Sequence, residues 1–433
     1  MKRTSWNWVA LSCFTAATGC VSPNDAPREQ ASVARSPLVE DIQSMTRRDD
    51  GAYDVTCTDG RQQIRTAAQI RQDRVCEPML VSAGTYHSCG VGPSGYLACW
   101  GSNYYGALGN GTNEDSLVPV RVTGIDATIA RVSVGAFASC AVTAAGAAKC
   151  WGSNLGGLLG NGANLPGSRV PVDVRGLESG TVDLSMGTTH ACAVTSTGAV
   201  KCWGSNFDGA LGSPGPDSSV PVTVPGLESG AVAVSVGGHH ACALTSEGSV
   251  QCWGDNSIGQ LGDGSTTSHV GPVTAQVLGS SYVSSVTAGA KHTCAALLSG
   301  DVLCWGNNST GQLGAEPGPP KLTPVDTFID FGGARGVWAG GEHTCTATND
   351  GAALCWGEAA YGRLGRSSTS SVPGWYPSRV YALGPGVVTV SAGGFHTCAV
   401  LSGGIKCWGY NGSGQLGIGT TENSPGPAPV TGL

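Results

Sequence analysis

The sequence predicts an all-β protein, a seven-bladed β-propeller, on three observations. The tripeptide Cys-Trp-Gly recurs seven times, beginning at Cys99, Cys150, Cys202, Cys252, Cys304, Cys355 and Cys407, at spacings of 51, 52, 50, 52, 51 and 52 residues. A second cysteine precedes each one, at Cys89, Cys140, Cys192, Cys242, Cys294, Cys345 and Cys398. Finally, 68 glycines with only 12% charged residues disfavour helices and suit short strands joined by tight turns. Seven near-identical periods of about 50 residues mark a repeat array, each unit burying its faces against its neighbours.

Four segments are expected along the chain. Lys2 and Arg3 precede a short apolar run, Val9 to Ala17, which is below the roughly 20 residues of a membrane span. The run leads into Ala17-Thr18-Gly19-Cys20, which resembles the lipobox of bacterial lipoproteins, although Ala17 stands where that family usually has Leu. The resemblance implies a lipoprotein signal peptide at 1–19 and a lipidated Cys20. Val21 follows in place of the Asp that marks inner-membrane retention, so the expected location is the outer membrane or cell surface, with plain secretion as the alternative. Residues 20–50 are rich in Pro, Ser, Asp and Arg and read as a disordered tether. Residues 51–78 read as a small segment closed by Cys57 and Cys76, and 79–433 as the propeller. Setting aside Cys13 and Cys20 leaves an even number of cysteines out of 18, as a disulfide-bonded exported chain requires.

Within a unit, Cys242-Ala-Leu-Thr-Ser-Glu-Gly-Ser-Val-Gln-Cys252 reads as two strands around a three-residue loop. Its last loop residue, Gly248, supplies the positive φ of a bulged hairpin, as do Gly95, Gly146, Gly198, Gly300 and Gly351. The seventh loop is one residue shorter, with Ser402-Gly403 as a two-residue turn. This register sets the two cysteines opposite each other, where Cβ atoms lie about 4.5–5.5 Å apart and a disulfide needs little adjustment. The expected pairs are 89–99, 140–150, 192–202, 242–252, 294–304, 345–355 and 398–407, besides 57–76.

The tryptophan after each second cysteine faces the other side of its strand. It is expected to be core, packed toward the cystine of the next blade. Each unit then runs Trp-Gly-x-Asn-x-x-Gly-x-Leu-Gly, with Asn103, Asn154, Asn206, Asn256, Asn308 and Asn411, and with Ala359 as the exception. The Asn amides are expected to brace the loop backbone and the Leu to plug the blade. Before each first cysteine stands His87, His190, His240, His292, His343 or His396, with Ala138 in unit two. One His per blade spreads around the ring rather than converging as zinc requires. The expectation is a structural hydrogen bond within each blade and no metal. Each unit ends in a Pro-Val strand, and none precedes Leu80. The C-terminal strand, Pro429 to Leu433, is therefore expected to complete the first blade and close the ring.

These motifs resemble the regulator of chromosome condensation repeat family over residues 79–433. Kelch repeats share the period but not the motif after Trp. The resemblance implies a seven-bladed propeller. The founding member exchanges nucleotide on a nuclear GTPase through an inserted wedge and chromatin contacts, and nothing in this sequence matches the wedge. A secreted bacterial member, which inhibits β-lactamases by protein–protein contact, is the nearer analogy.

The charge distribution argues against a nucleic-acid partner. Residues 1–77 hold 10 basic and 10 acidic side chains, 78–433 hold 13 and 20, and no basic stripe exists. There is no Gly-x-Ser-x-Gly, His-Glu-x-x-His or phosphate loop. Ser246-Glu247-Gly248 lacks the Asp of a sialidase box, and no carboxylate pair for glycoside hydrolysis can be placed. No cofactor or catalytic residue is assigned, and a monomer that is not an enzyme is expected. The loops after the seven Trp residues share one face and carry Tyr104, Tyr105, Leu155, Phe207, Ile258, Tyr361 and Tyr410. They make a candidate face for a protein or other cell-surface macromolecule. A carbohydrate-binding or carbohydrate-active propeller and a structural envelope lipoprotein remain the alternatives.

Overall fold

A computed structural model describes residues 79–433 apart from 93–95, 164, 278–282, 328, 330–331 and 367–372, together with three earlier strands. Seven four-stranded antiparallel sheets follow one another around a central channel. Blade 1 runs outward from Leu80–Ala83 through His87–Val91 and Leu97–Gly101 to Ser116–Arg121. The other six repeat this order, and blade 7 ends in Ser424–Pro429.

The hairpin register is the one the cysteine spacing predicts. Cys242 lies directly opposite Cys252 and Cys398 opposite Cys407. All seven blade disulfides form, with Cα atoms 4.0–4.2 Å apart. Gly248 adopts φ 80°, a conformation costly for any residue with a Cβ. Leu401 pairs with Gly404, which leaves the two-residue turn expected in unit seven. Gly95 and the pair 57–76 lie outside the described residues and side chains. The outermost strands carry Pro119 and its equivalents beside a register shift between Cys99↔Val120 and Gly101↔Ser116. Proline without an N–H is tolerated on such an edge and blocks further strand addition.

Three expectations need correction. The Pro-Val strand belongs to its own unit, since Cys99 pairs with Val120 and Cys407 with Ala428. The C-terminal strand therefore completes blade 7, and no blade is shared. The seam between first and last blades closes by packing instead. Trp100 donates its indole N–H to the Gln415 carbonyl at 2.9 Å, and the Gly394 N–H bonds the Gly84 carbonyl at 2.9 Å. Val430 and Leu433 cover Met79, Ala83 and Trp100 there.

The tryptophans also pack the opposite way around the ring. Trp203 lies against the Cys140–Cys150 cystine and Trp253 against Cys192–Cys202, so each Trp meets the preceding blade. All seven are fully buried. An aromatic side chain removed from water stabilises by about 4–6 kcal/mol at about 25 cal/mol per Å², so this Trp–cystine layer dominates the core. Lastly, Ile42–Arg47, Tyr53–Cys57 and Gln62–Arg65 form a three-stranded antiparallel sheet. Its first strand falls inside the stretch expected to be a disordered tether, because Met45 and its neighbours pair with Val55 and its neighbours, a tertiary signal that composition does not carry.

Serine hydroxyls tie the innermost strands together. Ser82, Ser133, Ser185 and Ser235 each accept the N–H of the next blade's strand, at Val134, Met186, Val236 and Ala288, over 2.9–3.0 Å. Thr287 bonds Ala339 N–H and Ser391 bonds Ala83 N–H in the same way. The channel at this level, about 140 Å³, is lined by Gly84, Gly135 and Gly187 among other small residues, with Thr85 and Thr188 as its polar side chains.

Candidate functional site

Antiparallel order puts two loops of every blade on one end of the ring. These are the short link before the second strand and the longer loop after the Trp strand. Both termini of the propeller lie on the other end, since Leu80 pairs with Val91 at the hairpin side.

The motif Asn braces the longer loop. Asn103 Oδ1 accepts the Leu108 N–H at 2.9 Å while its Nδ2 donates to the carbonyls of Thr112 and Glu114. Asn154, Asn206, Asn308 and Asn411 bond their loops alike. Asn256 does so at Leu261, Ser265 and Asp263. The residues just after Asn are thereby presented on a rigid stem. Two loop residues at this position, Asp208 at φ 55° and, in the unit where Ala359 replaces the Asn, Tyr361 at φ 63°, hold left-handed backbone without being glycine. Such conformations cost of order 1–3 kcal/mol and cluster at functional loops.

Four of the seven predicted face residues join one aromatic arc. Tyr104 meets Tyr105 at 4.7 Å between ring centroids, and Tyr105 meets Phe137 at 5.8 Å. Phe137 stacks on Tyr86 at 5.2 Å, and Tyr86 reaches Phe395 at 6.2 Å. Phe395 contacts Tyr410 at 6.1 Å and Tyr361 at 6.4 Å. Tyr361 and Tyr410 are 5.0 Å apart. Tyr104 is 71% exposed and Tyr361 44%, whereas Tyr105 and Tyr410 are half-buried. Phe207 and Leu155 are also exposed but stand apart from this arc, Phe207 against His239 at 5.5 Å. Ile258 is half-buried and joins no ring cluster. Tyr86, Phe137 and Phe395, which make the arc continuous, were missed. Their signal was positional: each immediately precedes the His position of its unit.

Arg363 lies beneath the arc, 5.3 Å from the Phe395 ring centre and 5.7 Å from that of Tyr361. Its guanidinium is buried and donates to the Ala360 and Gly394 carbonyls. Burial lowers its pKa from the ordinary arginine value, opposed by the nearby Glu358 and Glu342 carboxylates.

The histidines act between blades, not within them as expected. His87 Nε2 contacts Ser139 Oγ of the next blade at 2.7 Å, and that hydroxyl donates to the Ala107 carbonyl at 2.9 Å. Trp151 donates its indole N–H to the same carbonyl at 2.8 Å. The hydroxyl proton is thus committed to the carbonyl, which makes Nε2–H the donor to it. The relay repeats as His240–Thr293, His292–Thr344, His343–Thr397 and His396–Ser88. Burial pushes His87, His190, His292 and His396 down to about 3, His240 to about 4 and His343 well below the usual value. All stay neutral at physiological pH.

The relay lapses at two consecutive interfaces. Blade 2 has Ala138 in place of His and faces Ala191, while His190 faces Ala241 and neither of its ring nitrogens has a partner. Asp183 stands in there. It accepts the Val234 N–H from blade 4 at 3.0 Å and lies 3.7 Å from Arg131 of blade 2. Burial raises its carboxyl pKa, against the pull of the Val234 N–H and of Arg131. Restoring the hydroxyl with Ala241→Ser is expected to stabilise the fold by about 1 kcal/mol. A differential-scanning melting curve that is unchanged or lower would refute this account of His190.

A closed ring of seven Trp-and-cystine blades with one loop end rigid and aromatic defines the class: a repeat propeller. Comparison with known proteins gives the family. The RCC1-like domain profile matches residues 168–433, and regulator of chromosome condensation (RCC1) repeat profiles match 94–142 and 80–107. The chain belongs to the RCC1-like family. It is 30% identical to the ultraviolet-B receptor UVR8 of Arabidopsis thaliana, over 84% of this chain and 73% of that protein. It is likewise 30% identical to the secretion-regulating guanine nucleotide exchange factor of Bos taurus, over 82% and 71%. Among solved structures, human WBSCR16 superposes with a TM-score of 0.70 at 23% identity, over 77% of this chain and 94% of that one. Yeast RCC1 (Prp20) bound to Kap60 gives 0.69 at 20%, over 82% and 84%. These two establish likeness of fold.

Proposed function

We propose that the chain is an exported, lipid-anchored protein-interaction module without catalysis, docking a macromolecular partner on its aromatic loop end. The continuous arc from Tyr104 to Tyr361 carries this reading, because contiguous exposed aromatic surface on a soluble fold marks an interface. The names of the similar proteins agree in kind: a receptor, an exchange factor, and a propeller crystallised with a protein partner. Two acyl chains on Cys20 would suffice for stable attachment to an outer membrane. The N-terminal segment enters the propeller opposite the arc, so such an anchor leaves the arc facing outward.

Crosslinking on intact cells would supply a partner, against which Tyr105, Phe207, Tyr361 and Tyr410 are each changed to Ala. At least one is expected to weaken binding by about 2 kcal/mol or more, the scale of an interface hot spot, with its melting temperature unchanged. Unchanged affinity for all four, or losses tracking unfolding, would move the site elsewhere. Intact mass of the membrane fraction tests the anchor, and a soluble form with unmodified Cys20 would refute it.

A further inference from the structure

Resting on that docking face, we infer that its occupant is a basic peptide segment of a protein partner, a Lys or Arg side chain lying against the rings of Tyr361, Phe395 and Tyr410. The chain's own Arg363 establishes that a guanidinium fits this aromatic group, at 5.3 and 5.7 Å from two of the ring centres. That guanidinium is turned inward and held by backbone carbonyls, while Tyr361 is exposed and Phe395 and Tyr410 are half-buried, so part of the ring surface faces solvent.

Charge selects the ligand. Glu342 is exposed at the tip of blade 6, and Glu358 lies in the loop that carries Tyr361. Both act electrostatically on Arg363, and among the described residues neither forms an ion pair of its own. Two carboxylates around one guanidinium leave the aromatic group net negative. A cation approaching these rings gains the face-on attraction of the π system together with that field. The formal charge of −7 adds long-range attraction for a basic segment. Lys291, exposed at the tip of blade 5, disfavours a path in that direction and places the segment over blades 6, 7 and 1.

The test is fluorescence anisotropy with three labelled short peptides of one length: one rich in Lys and Arg, one with Gln in their place and one with Glu. The expected result is binding of the basic peptide about fivefold to tenfold tighter than the Gln peptide at low salt, none of the Glu peptide, and weakening as salt rises. Glu342→Gln and Tyr410→Ala should each reduce it severalfold. Glu247→Gln on the opposite end should not, with melting temperatures checked for all. Equal binding of basic and Gln peptides, or indifference to Glu342→Gln, overturns the inference. If the Gln peptide binds and Tyr410→Ala abolishes it, the aromatic face stands as a docking site and only its preference for cations falls. If no peptide responds to Tyr410→Ala, both fall.

Discussion

Thermal stability is expected to collapse as pH falls from about 6.5 toward 4. Six histidines are buried and neutral in the folded state, five with pKa values lowered to about 3–4 and the sixth, His343, well below its ordinary value. In the unfolded chain each titrates near 6.5. Above that pH neither state binds the proton, and stability is at its full value. Below it the unfolded chain takes up protons that the folded chain refuses. Each His then costs about 1.4 kcal/mol per pH unit until the folded pKa is reached. Six together approach about 8 kcal/mol per unit, comparable with the 5–15 kcal/mol that hold an ordinary domain together. Calorimetry across this range should give an uptake of five to six protons on unfolding near pH 5. His190→Ala should remove one. A flat melting temperature down to pH 4 would mean that the histidines reach solvent or bind protons in place.

The second large effect concerns the disulfides. All fourteen blade cysteines have no exposed surface, each cystine lying under the Trp of the following blade. A reductant therefore has no route to them in the folded ring. Dithiothreitol at neutral pH is expected to leave all seven intact for as long as the fold survives, with alkylation and mass spectrometry as the readout. Reduction in denaturant should then block refolding when the denaturant is removed. Each short loop contributes about 2–3 kcal/mol in the chain-entropy model, and seven together exceed the net stability of most domains. Replacing one pair, Cys242→Ala with Cys252→Ala, should cost that amount plus a cavity term. Rapid native-state reduction, or efficient refolding of the fully reduced chain, would show that the cystines are dispensable.

Much of this architecture was legible because it repeats locally. The hairpin between Cys242 and Cys252 depends on ten residues and one Gly, all adjacent in the sequence. The Asn amides act on their own loop, at Leu108 or Thr112, and could be read the same way. What failed were relations between units. Alternation along a strand tells that Trp203 faces away from its own cystine, but not which neighbour lies on that side. Val118-Pro119-Val120 sits between two units in the sequence, and its ladder partner Cys99 is fixed only by the long loop folding back. The His relay had a visible counterpart in the hydroxyl before five of the seven first cysteines, as in His87-Ser88-Cys89 and His292-Thr293-Cys294. Its partner, however, is some fifty residues away. The aromatic face was half legible: loop positions after Asn announced themselves, while Tyr86, Phe137 and Phe395 were hidden in the short links.

The break in the relay gives this ring a preferred place to yield. A closed circle of blades is expected to open first where a buried polar tie is missing, and the two joints without the His relay flank the same unit, blade 3. In place of the relay Asp183 reaches across both, through one backbone amide and one guanidinium, beside the serine and indole bonds that these joints keep. Amide hydrogens of Thr181–Met186 should exchange with solvent faster than those of Val387–Ala392, the corresponding strand of blade 7 beside the joint between first and last blades. Opening on either side of blade 3 would let the propeller breathe from the middle of its sequence while the joint between its first and last blades stays shut.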